Sequence, residues 1–467
     1  MSELIKENCG VGLVYDISDA VELARKGLSH RGRDAEGYGT LGGNGINAVR
    51  CYSDIADPQA LVTLLDYNPG DPLFVHTRYR TKGAGHDLLL AAHPHTIGGH
   101  DIHEANHYIT RGAVAAMVHN GTVGSINSEE LKTGCDTEGL LMLHHEHGPE
   151  YVLQTVPSSY SVITAKAGER GVTAYRDRFG RRPLWLGVDR NGMYVLASED
   201  RSIEIIGGKP IREVKPGEMV TVYSNHVDSK QVVPPELQLC FFEAAYLAMR
   251  PSHLWETLRR QGVDVRQLRR ELGARAFMEH PPMDGIDFIT HIPNAPIDAV
   301  QAYAFAADGR REELFYKLNG DRAFMYPDAA MRQAAIKANL FVNPDMDPKK
   351  HGRCFVAVDD SVVRGGNSPE AARKARARGF EMKQLVLYTP MIGGNEDGVA
   401  LGCEHGIDMP PTDNFVTQRV GRNPDAIARE LGIERVDFLS VDGLVDVFEN
   451  HGITRNNLCL ACVASTR

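Results

Sequence analysis

At 467 residues, 42% hydrophobic and 24% charged, the chain has the balance of a folded globular protein too long for one core, so two or three domains are expected and long disorder is excluded. A formal charge of −10 argues against a protein that grips nucleic acid by its phosphates, which needs clustered Lys and Arg. Met1 to Asn8 carry acids and no apolar run, no stretch nears the ~20 apolar residues of a membrane span, and eight cysteines suit buried thiols, nucleophiles or metal ligands better than disulfides, so a cytoplasmic protein is expected.

In chain order, short β-branched runs separated by Gly, Asn and Asp predict strands over Gly10 to Tyr15, Leu73 to Thr77, Val114 to His119, Tyr160 to Ala165 and Met193 to Ala197. The turn Lys215-Pro216-Gly217 and the stiff Val233-Pro234-Pro235 put a domain boundary near residue 233. Beyond it, helical patterns at Leu254 to Glu279, Asp298 to Ala306 and Ala329 to Ala338 interleave with apolar runs at Asp287 to Ile292, Cys354 to Val358 and Gln384 to Tyr388. That alternation predicts βαβ units and a mostly parallel sheet, with ligands at the carboxyl ends of its strands.

The run from Cys354 to Lys374 begins as a buried strand, turns acidic and glycine-rich, and then starts a helix. Ser368 is the predicted N-cap, Pro369 suits the first turn and Glu370 complements the helix dipole, so the helix is expected to begin at Ser368 or Pro369. Backbone N–H groups around Gly365, Gly366, Asn367 and Ser368 are then expected to point into one concavity that fits a phosphate. Asp359 and Asp360 beside it would repel a bare phosphate, but they suit sugar hydroxyls or a magnesium ion shared with pyrophosphate. The combination predicts a phosphorylated sugar; the bland alternative is a strand-end turn followed by a flexible loop.

The Asp359-Asp360-Ser361-Val362-Val363-Arg364-Gly365 core resembles the phosphoribosyl-pyrophosphate signature of type I phosphoribosyltransferases, in particular that of the glutamine phosphoribosylpyrophosphate amidotransferase (amidophosphoribosyltransferase) family. Gly366 and Asn367 stand where that family usually has hydroxyl residues. The first half resembles the same family at Cys9-Gly10-Val11-Gly12, from Leu28 to Gly37, from His76 to Thr81, at His119-Asn120-Gly121, at Asp136-Thr137-Glu138, from Arg176 to Leu184 and at Ala197-Ser198-Glu199. The resemblance implies a propeptide at residues 1–8 and an α+β N-terminal nucleophile (αββα) glutaminase domain over 9–232. It implies an α/β type I phosphoribosyltransferase domain over 233–467, ending in a cysteine-bearing tail. The implied activity makes 5-phosphoribosylamine from glutamine and phosphoribosyl pyrophosphate, the first step of de novo purine biosynthesis.

On that resemblance Cys9 attacks the glutamine amide, and its own α-amine, freed by autocatalytic processing, is the base, since such an amine titrates near neutrality. The Asn120 side chain and the Gly121 N–H form the oxyanion hole, Arg78 holds the substrate carboxylate and Asp136 its ammonium group. Ser361, Arg364, Gly365, Gly366, Asn367 and Ser368 bind phosphoribosyl pyrophosphate, with Asp359 and Asp360 on its ribose and Mg²⁺. Lys317 and Arg322, in the stretch from Phe315 to Pro327 that looks like the family's closing loop, neutralise the leaving pyrophosphate. Pro293 to Asp298 stands in the place of the pyrophosphate loop, with Asn294 for an expected acid. His30, His76 and His119 are read as loop-shaping donors.

Cys240, Cys403, Cys459 and Cys462 fall where family members carry a [4Fe-4S] cluster. The Cys459-x-x-Cys462 spacing alone is shared by zinc and redox sites, and zinc or four buried free thiols stay open. Cys51, Cys135 and Cys354 are read as ordinary thiols. Implied partners are glutamine, phosphoribosyl pyrophosphate, nucleotide feedback inhibitors and further copies of the chain, as tetramer or dimer, with no nucleic acid and no membrane. The alternatives are an amidotransferase acting on another phosphorylated sugar, and a phosphoribosyl-ligand regulator without chemistry.

Overall fold

Alternation of side chains along the strand Gly10–Val14 sets the plan of the first unit. In this computed structural model, which describes residues 9–52, 57–78, 88–104, 106–126, 131–317, 339–407, 409–412 and 414–465, Val11 and Leu13 point into an apolar layer with Phe74, Ala116, Val118 and Ile163. Gly10 and Gly12 face the other way. A Cβ on Gly12 would lie 2.4 Å from Leu23 Cδ2, and one on Gly10 would lie 2.7 Å from Leu28 Cβ. The glycines let the helical layer Ile17–Glu22 and Leu23–Leu28 descend onto the strand.

Two compact units divide the chain: Met1–Cys240 with Leu247–Arg259 and Glu404–Asp408, and Phe241–Tyr246 with Arg260–Cys403 and Met409–Arg467. The first holds a nine-stranded and a six-stranded sheet. In the larger, Gly10–Val14 lies antiparallel between Leu73–Arg78 and Tyr194–Ala197. In the smaller, Ala115–Thr122 pairs with Ser159–Lys166. Leu28, Leu61, Leu65 and Ile203 cover the outer face of the larger sheet, while Leu140, Leu141, Val152 and Leu153 cover that of the smaller. The layers therefore run α, β, β, α, each held by burial that contributes about 1.5–3 kcal/mol per large aliphatic side chain.

The second unit carries a four-stranded, wholly parallel sheet in the order Phe288–His291, Cys354–Asp359, Glu381–Leu387, Arg435–Phe438. Phe355, Ala357, Leu385 and Leu387 pack with Ala371 and Ala375 of the helix Asn367–Ala377, which covers one face of the sheet. The pattern from Leu254 to Glu279, expected as one helix, is two: Glu256–Arg260 and Val265–Glu279. Gly262 takes φ +69 between them, and the Asp264 side chain accepts from Gln267 N at 3.0 Å to restart the helix. The strand Arg435–Phe438 was not among the expected elements. The helix expected at 329–338, the propeptide at 1–8 and Arg322 lie outside the described residues. No helix among the described residues is long and apolar enough to cross a membrane.

Candidate active sites

Cys9 is fully buried immediately before Gly10–Val14. Antiparallel pairing of Gly10 with Thr77 puts Arg78 one step further along the neighbouring strand, level with Cys9. Arg78 is buried, and its Nη1 donates to Ala91 O. The second sheet supplies Asn120, whose Oδ1 accepts from Cys9 N at 3.3 Å. Asn120 Nδ2 is buried and makes no hydrogen bond among the described residues. A buried donor without an acceptor costs about 1–3 kcal/mol, and an oxyanion can supply the acceptor. Gly121 has φ +149, and a Cβ there would lie 1.9 Å from Ser159 O, so only glycine fits. Asp136, fully buried, opens the helix Asp136–His147 and is pinned by Val123 N at 2.7 Å from its Oδ2.

The histidines near this site act through hydrogen bonds. His76 Nε2 donates to His119 O at 3.2 Å, and His119 Nδ1 meets Thr137 Oγ1 at 2.9 Å. His30 and Arg31 both lie 2.7 Å from Glu199, which also accepts from Ser252 Oγ at 2.6 Å. Burial alone would raise the Glu199 carboxyl, but Arg31 and His30 outweigh it and hold the group well below the usual carboxylate range. The Arg176 to Leu184 motif is scaffold: Arg176 donates to Gly180 O at 2.7 Å and to Val214 O at 2.9 Å, and Asp177 accepts from Phe179 N at 2.8 Å and Tyr160 N at 3.0 Å.

His93 was missed from the sequence, where no spacing ties it to the nucleophile. Its Nδ1 accepts from His119 N at 3.1 Å, its Nε2 lies 3.2 Å from Thr137 Oγ1, and its ring stacks on His76 at 3.9 Å. Ligand atoms of His93, His95 and Cys135 lie within 4.8 Å of one another, all buried. The donor set fits a cation poorly. With Nδ1 accepting, the neutral His93 ring carries its proton on Nε2, and burial, then the Arg78, His119 and Arg50 charges, press its pKa far down. Burial also pushes the Cys51 thiol up to about 12, as expected for an inert thiol.

In the second unit, His291 pairs with Val358 in parallel register, so the loops leaving Phe288–His291 and Cys354–Asp359 emerge at the same carboxyl edge. One contains the cis peptide Pro293–Asn294; the other begins at Asp360, next to the strand's last residue Asp359, both buried. Asp360 N donates to Asp359 Oδ1 at 2.9 Å and Ser361 Oγ to Asp360 Oδ2 at 2.6 Å. Burial raises both carboxyls, and repulsion from Asp360 raises Asp359 further. Lys317, on the strand Phe315–Lys317, draws both back down, as Arg269 does for Asp360. Two crowded buried carboxyls are a donor set for a hard divalent cation. Arg269 has no sequence signal: it sits within the helix Val265–Glu279, with Nε on Ala244 O at 3.0 Å.

The helix after these acids runs Asn367–Ala377 with Gly366 at the N-cap, which corrects the expectation that Ser368 caps it. Gly365 makes the reversal at φ +73, and Gly366 already has helical angles, φ −92 and ψ −42, so Ser368 falls inside the first turn and is buried. Gly366 has no side chain with which to cap the helix, so the amides at Gly366, Asn367 and Ser368 open its first turn beside Arg364 and Gly365. Of the four tail and junction cysteines, Cys403 and Cys462 are buried, and Gly402 N to Ala461 O at 3.4 Å and Gly393 N to Cys462 O at 2.8 Å join their segments. Cys459 is half-buried, as is Cys240, which belongs to the first unit.

Residues 124–232 match the family described as a glutamine amidotransferase domain. A chloroplastic amidophosphoribosyltransferase of Vigna aconitifolia is 28% identical over 482 residues, covering 98% of this chain and 90% of the relative. The amidophosphoribosyltransferase of Methanothermobacter thermautotrophicus is 26% identical, covering 98% of this chain and 94% of its own. The solved glutamine phosphoribosylpyrophosphate amidotransferase from B. subtilis, complexed with ADP and GMP, has the same fold at TM-score 0.75 with 22% identity, over 98% of this chain and 96% of that one.

Proposed function

We infer from kinship with the amidophosphoribosyltransferases along nearly the whole chain that this protein makes 5-phosphoribosylamine from glutamine and phosphoribosyl pyrophosphate, opening purine biosynthesis. One observation carries the glutaminase half: Asn120 Oδ1 engages Cys9 N, so its buried Nδ2 is free to meet an oxyanion beside the thiol. After cleavage before Cys9, the α-amine takes the thiol proton and the sulfur adds to the glutamine amide carbon. Asn120 Nδ2 and Gly121 N–H hold the oxyanion, while Arg78 and Asp136 hold the carboxylate and ammonium groups. Collapse forms a thioester and expels ammonia with the proton from the amine; water then releases glutamate.

Ammonia attacks the anomeric carbon of phosphoribosyl pyrophosphate and the bond to pyrophosphate breaks. The first-turn amides at Gly366, Asn367 and Ser368, with Ser361, Arg364 and Gly365, hold the 5′-phosphate. Lys317 and Arg322 neutralise the departing charge. A magnesium ion held by Asp359 and Asp360 would offset the charge of the diphosphate. Cys240, Cys403, Cys459 and Cys462 would hold a structural [4Fe-4S] cluster. Purine nucleotides are the expected feedback ligands, and a homo-oligomer the expected assembly. Glutamine-dependent release of pyrophosphate tests the whole reading: none from folded, processed protein rejects it.

A further inference from the structure

Three hydrogen bonds close a ring around the glutaminase site. His119 N–H donates to His93 Nδ1 at 3.1 Å. The proton of the neutral His93 ring therefore sits on Nε2, which lies 3.2 Å from Thr137 Oγ1 and donates to it. Thr137 in turn sits 2.9 Å from His119 Nδ1, where its hydroxyl is the donor. The ring returns to the residue where it began, each of its three donors meets an acceptor within it, and all three side chains are buried. Such closed rings strengthen cooperatively and admit a single set of tautomers.

Its members are placed one residue from the working groups. His119 precedes Asn120 and Gly121 on the strand Ala115–Thr122, and Thr137 follows Asp136 at the start of the helix Asp136–His147. The His93 ring is also stacked 3.9 Å from His76, two residues before Arg78 on its strand. The His93 carbonyl is wedged against Gly37, where a Cβ would lie 1.6 Å from it, so the residue has little room to shift.

We propose that His93 and Thr137 are positioning residues of the glutamine pocket, joined through His119 in a hydrogen-bonded ring that sets the oxyanion donors of Asn120 and Gly121 at a fixed span from Asp136. The proposal rests on the glutaminase reading. It predicts a specific pattern of rescue: a side chain that can complete the ring restores function, and one of similar shape that cannot does not.

The test is steady-state glutamine hydrolysis by processed full-length protein with Thr137→Val, Thr137→Ser, His93→Leu and His93→Gln. Gln can accept through Oε1 and donate through Nε2, and Ser keeps the hydroxyl. Thr137→Val and His93→Leu should each lose at least about tenfold in kcat/KM, with both kcat and KM moving because both an oxyanion donor and an ammonium ligand are displaced. Thr137→Ser and His93→Gln should stay within roughly threefold of wild type. Wild-type kinetics in Thr137→Val and His93→Leu, or equal losses in the rescuing and disrupting variants, overturns the proposal while wild-type glutamine hydrolysis leaves the parent reading standing. Absence of glutamine hydrolysis by the wild type overturns both. Should a disrupting variant fail to fold, imidazole nitrogen NMR of the wild type decides: Nε2–H tautomers at both His93 and His119 support the ring, and Nδ1–H at His93 overturns it.

Discussion

Asn120 Oδ1 accepts a hydrogen bond from Cys9 N at 3.3 Å, joining residues 111 apart in the chain, one just before a strand of the larger sheet and the other within a strand of the smaller. In the proposed mechanism the nitrogen that would become the catalytic amine thereby orients the amide that would stabilise the oxyanion. Asn120→Ala should lower kcat for glutamine by about 10²–10³, the usual loss for one oxyanion donor, with a smaller change in KM. Unchanged kcat in steady-state glutaminase assays would remove Asn120 from the site.

Intact-mass analysis of active protein should find a chain that begins at Cys9. Cys9→Ala should abolish glutamine use while ammonia-driven pyrophosphate release persists, since the thiol has no part in the second reaction. Retention of residues 1–8 in fully active protein would contradict the amine's role as base.

Asp359→Asn and Asp360→Asn should each depress ammonia-dependent synthesis more than about tenfold, or roughly 1.4 kcal/mol of transition-state stabilisation, and leave glutamine hydrolysis intact. Equal kinetics in wild type and variants would separate the acid pair from the phosphoribosyl chemistry.

The Glu199 carboxyl, held down by Arg31 and His30, ties folding to pH. Because its folded pKa is depressed, the stabilisation is complete above the ordinary value of 4.5 and fades as pH falls below it. Glu199→Gln strands the buried Arg31 and should destabilise by about 3–5 kcal/mol near neutral pH. Urea titrations of both proteins should show that gap narrowing in acid; a gap that stays constant or widens there contradicts the assignment.

Anaerobic purification should yield about four iron and four sulfide per chain, the stoichiometry of a Cys₄-held cubane. Cys459→Ser with Cys462→Ser should lose both and unfold more readily. Stoichiometric zinc without sulfide would replace the cluster with a simpler cation.

Much of the fold was legible because it is written locally. The β-branched run from Gly10 to Tyr15 marked a strand, and the alternating apolar runs marked the second unit's parallel sheet. The helix after Asp359 and Asp360 was foreseen, but its cap was not. A serine followed by proline signals an N-cap by composition, whereas the boundary was decided by backbone angles at Gly365 and Gly366, which no side chain announces. The break at Gly262 was likewise hidden under a continuous helical pattern.

The candidate residues Cys9, Arg78, Asn120, Gly121 and Asp136 stood out as types suited to amide chemistry at motif positions. What holds them in place did not. His93 lies 26 residues from His119 and 44 from Thr137, so no helical or strand period relates them. Arg269 likewise reaches the field of Asp360 from a distant helix. The chemical type of each residue and the apolar periodicity of strands and helices are carried by the chain itself, and the sequence alone determined those. Hydrogen bonds and charges between segments depend on where strands and helices are packed, and only the tertiary structure decided them.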